Sequence, residues 1–136
     1  MQIIVFTLSS KYYGITTDKV EEISKKINST LVPNAPSWVE GVINLRGNVV
    51  SLLNLSKLLH QDNSVCYNNI IIIKNEEEQV GLMVKDVVQV MDVDNKDIQK
   101  LSAENKDEFI GILKTSDKII NIIDIDILLS KNEGYI

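Results

Sequence analysis

The apolar pattern of this chain occurs twice. Residues Gly41 to Leu55 read Gly-Val-Ile-Asn-Leu-Arg-Gly-Asn-Val-Val-Ser-Leu-Leu-Asn-Leu, two apolar runs about Arg46-Gly47-Asn48. Gly and Asn accept positive φ at little cost, so the segment predicts a β-hairpin with an arginine at its tip. Seventy residues on, the pattern returns as Gly111-Ile112-Leu113, a turn at Ser116-Asp117 and the run Ile119 to Ile125, and Leu58-Leu59 returns as Leu128-Leu129. Earlier blocks repeat at an offset of 67: Ile3-Ile4-Val5-Phe6, Gly14-Ile15, Val20 and Ile23 become Ile70 to Ile73, Gly81-Leu82, Val87 and Val90. Two units result, roughly 2–60 and 68–130. The second unit has Ser116 where the first has Arg46, so the arginine reads as an addition to the scaffold.

Each unit reads as a strand, a polar turn, a second strand, a helical or irregular connection, a hairpin and a last helical turn. The polar turns are Ser9-Ser10-Lys11 and Asn75-Glu76-Glu77-Glu78. Ile, Val and Leu dominate while aromatics are 5%, a bias towards strands. This predicts an all-β fold of small barrels or a sandwich, and 136 residues fit one domain. Ile70 to Ile73 is apolar on both faces and needs cover on both, so the units should pack together. Asp18 with Glu21 resembles a capping box, and Val20, Ile23 and Ile27 fall at helical spacing. A helix is expected there, with Glu21–Lys25 and Glu22–Lys26 as i,i+4 pairs. Pro36 is expected to begin a short turn that Gly41 ends. A last helix is expected over Asp126–Lys131.

Net charge is −5 with no Lys/Arg cluster, which disfavours nucleic acid and anionic membrane surfaces. Cys66 is the only cysteine and His60 the only histidine, so an internal disulfide and a Cys/His zinc site are excluded. No basic stretch precedes Gln2-Ile3-Ile4-Val5-Phe6, and this run is too short to span a bilayer, so the chain reads as soluble and cytoplasmic. His60, followed by Gln61-Asp62-Asn63, reads as a solvated residue ending a helical turn. Cys66 reads as a small packing residue, buried or half-buried. Asp92, Asp94 and Asp97 lack the glycine and closing glutamate of a calcium loop. No Gly-rich phosphate loop is present. Asp124 and Asp126 suit the start of the last helix. No catalytic, cofactor or metal constellation emerges, and the sequence points to a binding protein rather than an enzyme. Arg46 offers a five-donor fork. Val20 and Glu22 lie on the expected first helix, Val20 on its apolar stripe and Glu22 pointing away from it, and Trp38 is either an interface anchor or the closure of a barrel end.

Several blocks resemble CheW-type chemotaxis coupling proteins. Ile4 to Leu8, Tyr13-Gly14-Ile15 and Lys19-Val20-Glu21-Glu22-Ile23 look like that family's opening. Val32-Pro33-Asn34-Ala35-Pro36 followed by Gly41-Val42-Ile43-Asn44-Leu45-Arg46-Gly47 resembles its most specific motif. Val80 to Val87 and Phe109-Ile110-Gly111 continue it, in order, over about 2–130. The resemblance implies one CheW-like domain over 1–136, built as two small five-stranded SH3-like β-barrel lobes sharing a hydrophobic core. It implies a non-catalytic adaptor that couples the cytoplasmic helical hairpin tips of chemoreceptors to the regulatory domain of the chemotaxis histidine kinase. It would be cytoplasmic and recruited to membrane receptor arrays. By motif, Val20, Glu22, Arg46 and Gly47 fall at positions of protein contact, and Ile70 at another. The family usually has Pro and Asp where this chain has Ser51 and Asn54, which leaves room for a paralogous scaffold of another receptor–kinase pathway.

A pairing of Glu22 with Arg46 that fixes the hairpin is expected, with Val20 lining a groove between lobes. Other readings are an excised regulatory domain of a longer kinase and a small barrel that binds a ligand or an oligonucleotide. Met1 and the polar stretch Ser130 to Glu133 favour a short complete protein over the former.

Overall fold

The computed structural model describes residues 1–61, 66–75, 78–100 and 108–131. Eleven strands occur among them: β1 (Gln2–Leu8), β2 (Lys11–Thr16), β3 (Val20–Lys25), β4 (Val39–Leu45), β5 (Asn48–Asn54), β6 (Asn69–Asn75), β7 (Glu78–Val84), β8 (Asp86–Asp92), β9 (Ile98–Lys100), β10 (Phe109–Lys114) and β11 (Ile119–Ile123). Two short helices, α1 (Leu55–Leu58) and α2 (Ile125–Ser130), follow the hairpins. The all-β expectation holds. One lobe has five strands in the order β3-β6-β7-β5-β4, and the other has six, β8-β1-β2-β11-β10-β9. The sixth, β9, is a short strand added beside β10.

These orders carry the sequence repeat. Replacing β6, β7, β3, β5 and β4 by β1, β2, β8, β11 and β10 converts the first order into the second. The lobes are nevertheless not the stretches 2–60 and 68–130. The β1–β2 hairpin of the first unit sits in the sheet built by the second, and β6–β7 sits in the sheet built by the first. Each N-terminal hairpin joins the other unit's sheet by a parallel pairing, β2 with β11 and β7 with β5. Local irregularities repeat as well. A bulge at Glu21 in β3 corresponds to one at Val88 in β8, and a bulge at Glu40 in β4 to one at Ile110 in β10. A Cβ on Gly41 would stand 2.4 Å from the Thr30 carbonyl oxygen, and one on Gly111 2.4 Å from that of Gln99. Both positions are therefore closed to any side chain.

The doubly apolar strands explain the core. Side chains alternate across a strand, so Ile70 and Ile72 of β6 enter the interior of their own lobe with Ile43, Val50 and Leu52. Ile71 and Ile73 face the opposite way, into a core shared with Ile4, Phe6 and Leu8 of β1. Ile3 and Val5 of β1 fill the other lobe with Leu113, Ile120 and Ile122. Tyr13 lies in the shared core against Phe6, ring centroids 6.1 Å apart, and its hydroxyl accepts a hydrogen bond from Gln61.

Trp38 packs against the same shared core, and its carbonyl accepts from the Asn54 amide at 2.8 Å. It therefore helps close the packing between the lobes.

The last helix is found at Ile125–Ser130, within a residue of expectation, with Asp124 accepting from the Ile127 amide at 3.2 Å. Asn54 caps α1 in the same way, accepting from Lys57 at 3.1 Å. Asn serves an N-cap as well as Asp does, so this departure from the family pattern leaves the helix start intact. Ser51 lies on β5, paired with β4 on one side and β7 on the other, where a proline would lack the amide such a strand uses.

The first helix is not formed. Residues Thr17–Lys19 make a single 3-10 turn, and Val20–Lys25 is strand β3 on β6. The Glu21 bulge is the physical reason. An extra residue in a two-residue period places Val20 and Ile23 three apart on one face, which is also helical spacing. Neither expected i,i+4 pair exists: Glu21 accepts from Gln79, and Glu22 is paired elsewhere.

Gly41 is likewise within β4 rather than at a helix end. Cys66 is exposed rather than packed, because the next residue, Tyr67, makes the contact with the lobe interior. His60 ends α1 at φ 58°, in a Schellman closure where its amide donates to Lys57 O and that of Gln61 to Ser56 O. Asp94 caps a 3-10 turn at Asn95–Asp97, accepting from the Lys96 amide. Glu76, Glu77, Asp62, Asn63, Asn132 and Glu133, which entered the expectations above, lie outside the described residues.

Because both lobes build on one core and exchange hairpins, they should unfold together. Ile71→Ala, which empties a fully buried position in the shared core, is expected to cost about 2–5 kcal/mol. Denaturant curves followed by Trp38 fluorescence and by far-UV circular dichroism should stay superimposed. Two separated transitions would show lobes that fold independently.

Candidate functional site

The β4–β5 hairpin turns in two residues, with Leu45 paired to Asn48. Arg46 (φ 51°) and Gly47 (φ 88°) both have positive φ, the signature of a type I′ turn. Gly47 is at home there. Arg46 occupies the first central position, where Asn, Asp or Gly is preferred because a Cβ crowds the backbone. Asn44 supports the turn: its Oδ1 accepts from the Gly47 amide at 2.9 Å.

Opposite the tip lies β3. The bulge that defeated the helix expectation also aims the side chains. Val20 pairs with Ile73 and so faces the shared core, while Glu22 pairs with Ile72 on the other face of the sheet. Without the extra residue both would point the same way. Glu22 instead reaches the hairpin tip and accepts two hydrogen bonds from the Arg46 guanidinium, one at 3.2 Å from Nη1 and a shorter one from Nη2. The pair joins β3 at one end of the five-stranded sheet to the β4–β5 hairpin at the other. The expected Glu22–Arg46 contact is thus present.

The Arg46 hydrogen bonds hold the Glu22 carboxyl below the usual carboxylate range. A depressed folded-state pKa means the pairing contributes above the unfolded pKa and is lost as pH falls through the folded one. It is therefore intact at neutral pH. Arg46 keeps 68% of its side chain exposed. Two of its five donors are engaged, and the outward face remains available to a partner.

The remaining expected residues divide. Gly47 is at the surface with nothing within 4 Å of where a Cβ would stand. Val20 is half-buried and packs against the shared core, so it supports the site from below. Ile70 is corrected: it is fully buried inside its lobe, touching the space beside Gly81, and offers a partner no surface.

Asn44 and the exposed side chain of Val49 beside the tip lie outside the sequence expectation. Ile23, expected on the apolar face of a helix, is exposed on β3, on the face opposite to Glu22. Val49 belongs to an apolar run whose outward alternation only the turn geometry reveals. Among the described residues no group of His, Cys, Asp and Glu side chains is arranged to hold a metal ion.

The chain has relatives over nearly its whole length. The family model described as the CheW-like domain matches residues 2–133. The chemotaxis protein CheW of Bacillus subtilis is 32% identical over 139 residues, covering 98% of this chain and 89% of that protein. The chemotaxis protein CheW of Klebsiella aerogenes is 30% identical over 138 residues, covering 97% and 83%. The crystal structure of the scaffolding protein TtCheW from Thermoanaerobacter tengcongensis superimposes with a TM-score of 0.84 at 31% identity, over 93% of this chain and 86% of that one.

The strained tip yields a test. Arg46→Asn gives the turn the residue it prefers and removes only a solvent-exposed ion pair. Calorimetry is expected to show an unchanged melting temperature or one raised by a few degrees. A marked fall would mean that Glu22–Arg46 holds the lobe together.

Proposed function

The chain belongs to the CheW-like domain family, and from that membership we propose that it acts as a non-catalytic coupling adaptor between chemoreceptors and the chemotaxis histidine kinase in signalling arrays. The observation that carries this is the hairpin tip. The family motif places an arginine there, and the fold holds it in an unfavoured backbone conformation, oriented by Glu22 and pointing outward. A strained surface residue held by its surroundings argues for use rather than for stability.

The partners are the regulatory domain of the kinase and the helical hairpin tip of the receptor. Arg46 makes the charged contact, Gly47 lets the partner backbone approach closely, and Glu22 positions the guanidinium. Val20 sets the height of β3 beneath them. An apolar helix face suits Val49, which is exposed beside the tip on β5. Coupling in such a protein is free energy shared between two binding surfaces, with no bond made or broken. Recruitment to a receptor array would come through the receptor contact; among the described residues no helix is long and apolar enough to cross a membrane.

Titration calorimetry against a kinase regulatory domain and, separately, a receptor-tip fragment tests the reading. Saturable binding to both is expected, weakened at least about tenfold by Arg46→Ala in a protein that still folds. The double exchange Glu22→Arg with Arg46→Glu should recover more affinity than either single change. Binding to neither partner by the folded wild type would sink the adaptor reading.

A further inference from the structure

The hairpins at the ends of the two lobes turn at matched positions with different chemistry. Leu45-Arg46-Gly47-Asn48 corresponds to Thr115-Ser116-Asp117-Lys118, 70 residues on. Both are two-residue turns: Leu45 pairs with Asn48, and the Thr115 amide donates to the Lys118 carbonyl at 2.9 Å. In the first turn Arg46 and Gly47 have positive φ; in the second neither Ser116 nor Asp117 does. The scaffold therefore closes this hairpin without a side chain in the left-handed region. Something local to the five-stranded lobe selects the costlier turn.

Gly47 permits that turn but does not impose it, because glycine accepts either sign of φ. Asn44 supplies the constraint. Its side chain is exposed, so it adds nothing to the core, yet its Oδ1 accepts from the Gly47 amide at 2.9 Å and spans the strained Arg46. Lys114 stands at the matched position in the other lobe, and an ammonium group has no acceptor to offer. There Thr115 ties the turn instead: its hydroxyl oxygen accepts from the Lys118 amide at 3.1 Å and donates to Asp117 Oδ1 at 3.1 Å.

We propose that Asn44 is a positioning residue for the partner contact: through the Gly47 amide it holds the turn in the form that presents Arg46 to Glu22 and to the partner. The inference rests on the adaptor reading for the partner and on turn geometry alone for what Asn44 does. Without the Asn44 acceptor, the hairpin relaxes to the ordinary turn seen at Ser116-Asp117, while strands and cores stay as they are. The Arg46 guanidinium then leaves Glu22, and a partner finds it correctly placed in only a fraction of molecules, which lowers affinity by that fraction. Relief of the positive φ offsets the lost hydrogen bond, so stability changes little.

Asn44→Ala, Asn44→Asp and Arg46→Ala in the full chain test it. Backbone NMR couplings report the sign of φ at Arg46, and titration calorimetry against a kinase regulatory domain and a receptor-tip fragment reports affinity. In Asn44→Ala, φ at Arg46 should turn negative and the Gly47 amide should lose protection from hydrogen exchange. Affinity for whichever partner Arg46→Ala weakens should fall about three- to tenfold, with the melting temperature within a few degrees of wild type. Asn44→Asp keeps the acceptor and should keep the positive φ and most of the affinity. Added to Arg46→Ala, Asn44→Ala should cost nothing further, because no guanidinium is left to position.

A positive φ at Arg46 in folded Asn44→Ala overturns the proposal whether or not any partner binds. Unchanged affinity in a protein whose turn has switched also overturns it. So does a further loss on top of Arg46→Ala, which would make Asn44 a contact in its own right, and so does a marked fall in melting temperature, which would make it a stability residue. A wild type that binds neither partner, with the turn still switching in Asn44→Ala, overturns the adaptor reading and the partner contact but upholds Asn44 as the residue that sets the turn.

Discussion

Strands β1 and β6 have no polar face, and the rest of the molecule is arranged around covering both sides of each. A strand with one wet face can belong to a single sheet packed on a single core. Ile3-Ile4-Val5-Phe6 and Ile70 to Ile73 cannot. One side of each fills its own lobe, and the other meets its counterpart in the core between the lobes. The hairpin exchange adds a covalent reason for unity, since the chain crosses from one sheet to the other after β2 and back again after β7. Pulling the lobes apart would bring Ile4, Phe6, Ile71 and Ile73 into water, at about 25 cal/mol for each Å² of apolar area.

That rigidity is what permits a strained surface. An arginine with positive φ at a two-residue turn survives because the flanking strands fix the turn and Glu22 and Asn44 hold its members from either side. The arrangement needs no moving part. Glu22 is aimed by the Glu21 bulge, the bulge is fixed by pairing with β6, and β6 is fixed by the two cores. An adaptor made this way presents its contacts preformed, so little ordering cost falls on the binding step.

The sequence was legible where a residue's neighbours in the chain decide its state, and misleading where a distant strand does. The hairpin at Arg46-Gly47, the cap at Asp124, the solvated end at His60 and the double burial of Ile70 to Ile73 follow from spacing and residue chemistry. The stretch after Asp18 does not. Its apolar spacing, charge pairs and cap residue are those of a helix, yet β6 needs an edge partner, and a bulge reproduces the helical spacing within a strand. The same error placed Ile23 inside and hid the way Glu22 turns towards Arg46. Cys66 and Ile70 show the complementary difficulty. Whether a small residue in a connection is covered, or a family position remains at the surface, depends on which neighbour takes the buried slot.

The repeat separates scaffold from function more sharply than either half alone. Positions that make the fold agree between units: Gly14 with Gly81, both against an isoleucine of the neighbouring strand, Gly41 with Gly111, Asn54 with Asp124, and the paired bulges. Positions that break the agreement lie at the surface. Glu22 and Arg46 correspond to Gln89 and Ser116, so only the five-stranded lobe has this ion pair at its hairpin tip, and Glu78 corresponds to Lys11. Packing and backbone geometry impose the same demands on both copies of a motif, so a difference between copies at an exposed site is one the fold did not require. The Arg46 tip is therefore a place where the scaffold does not dictate the residue.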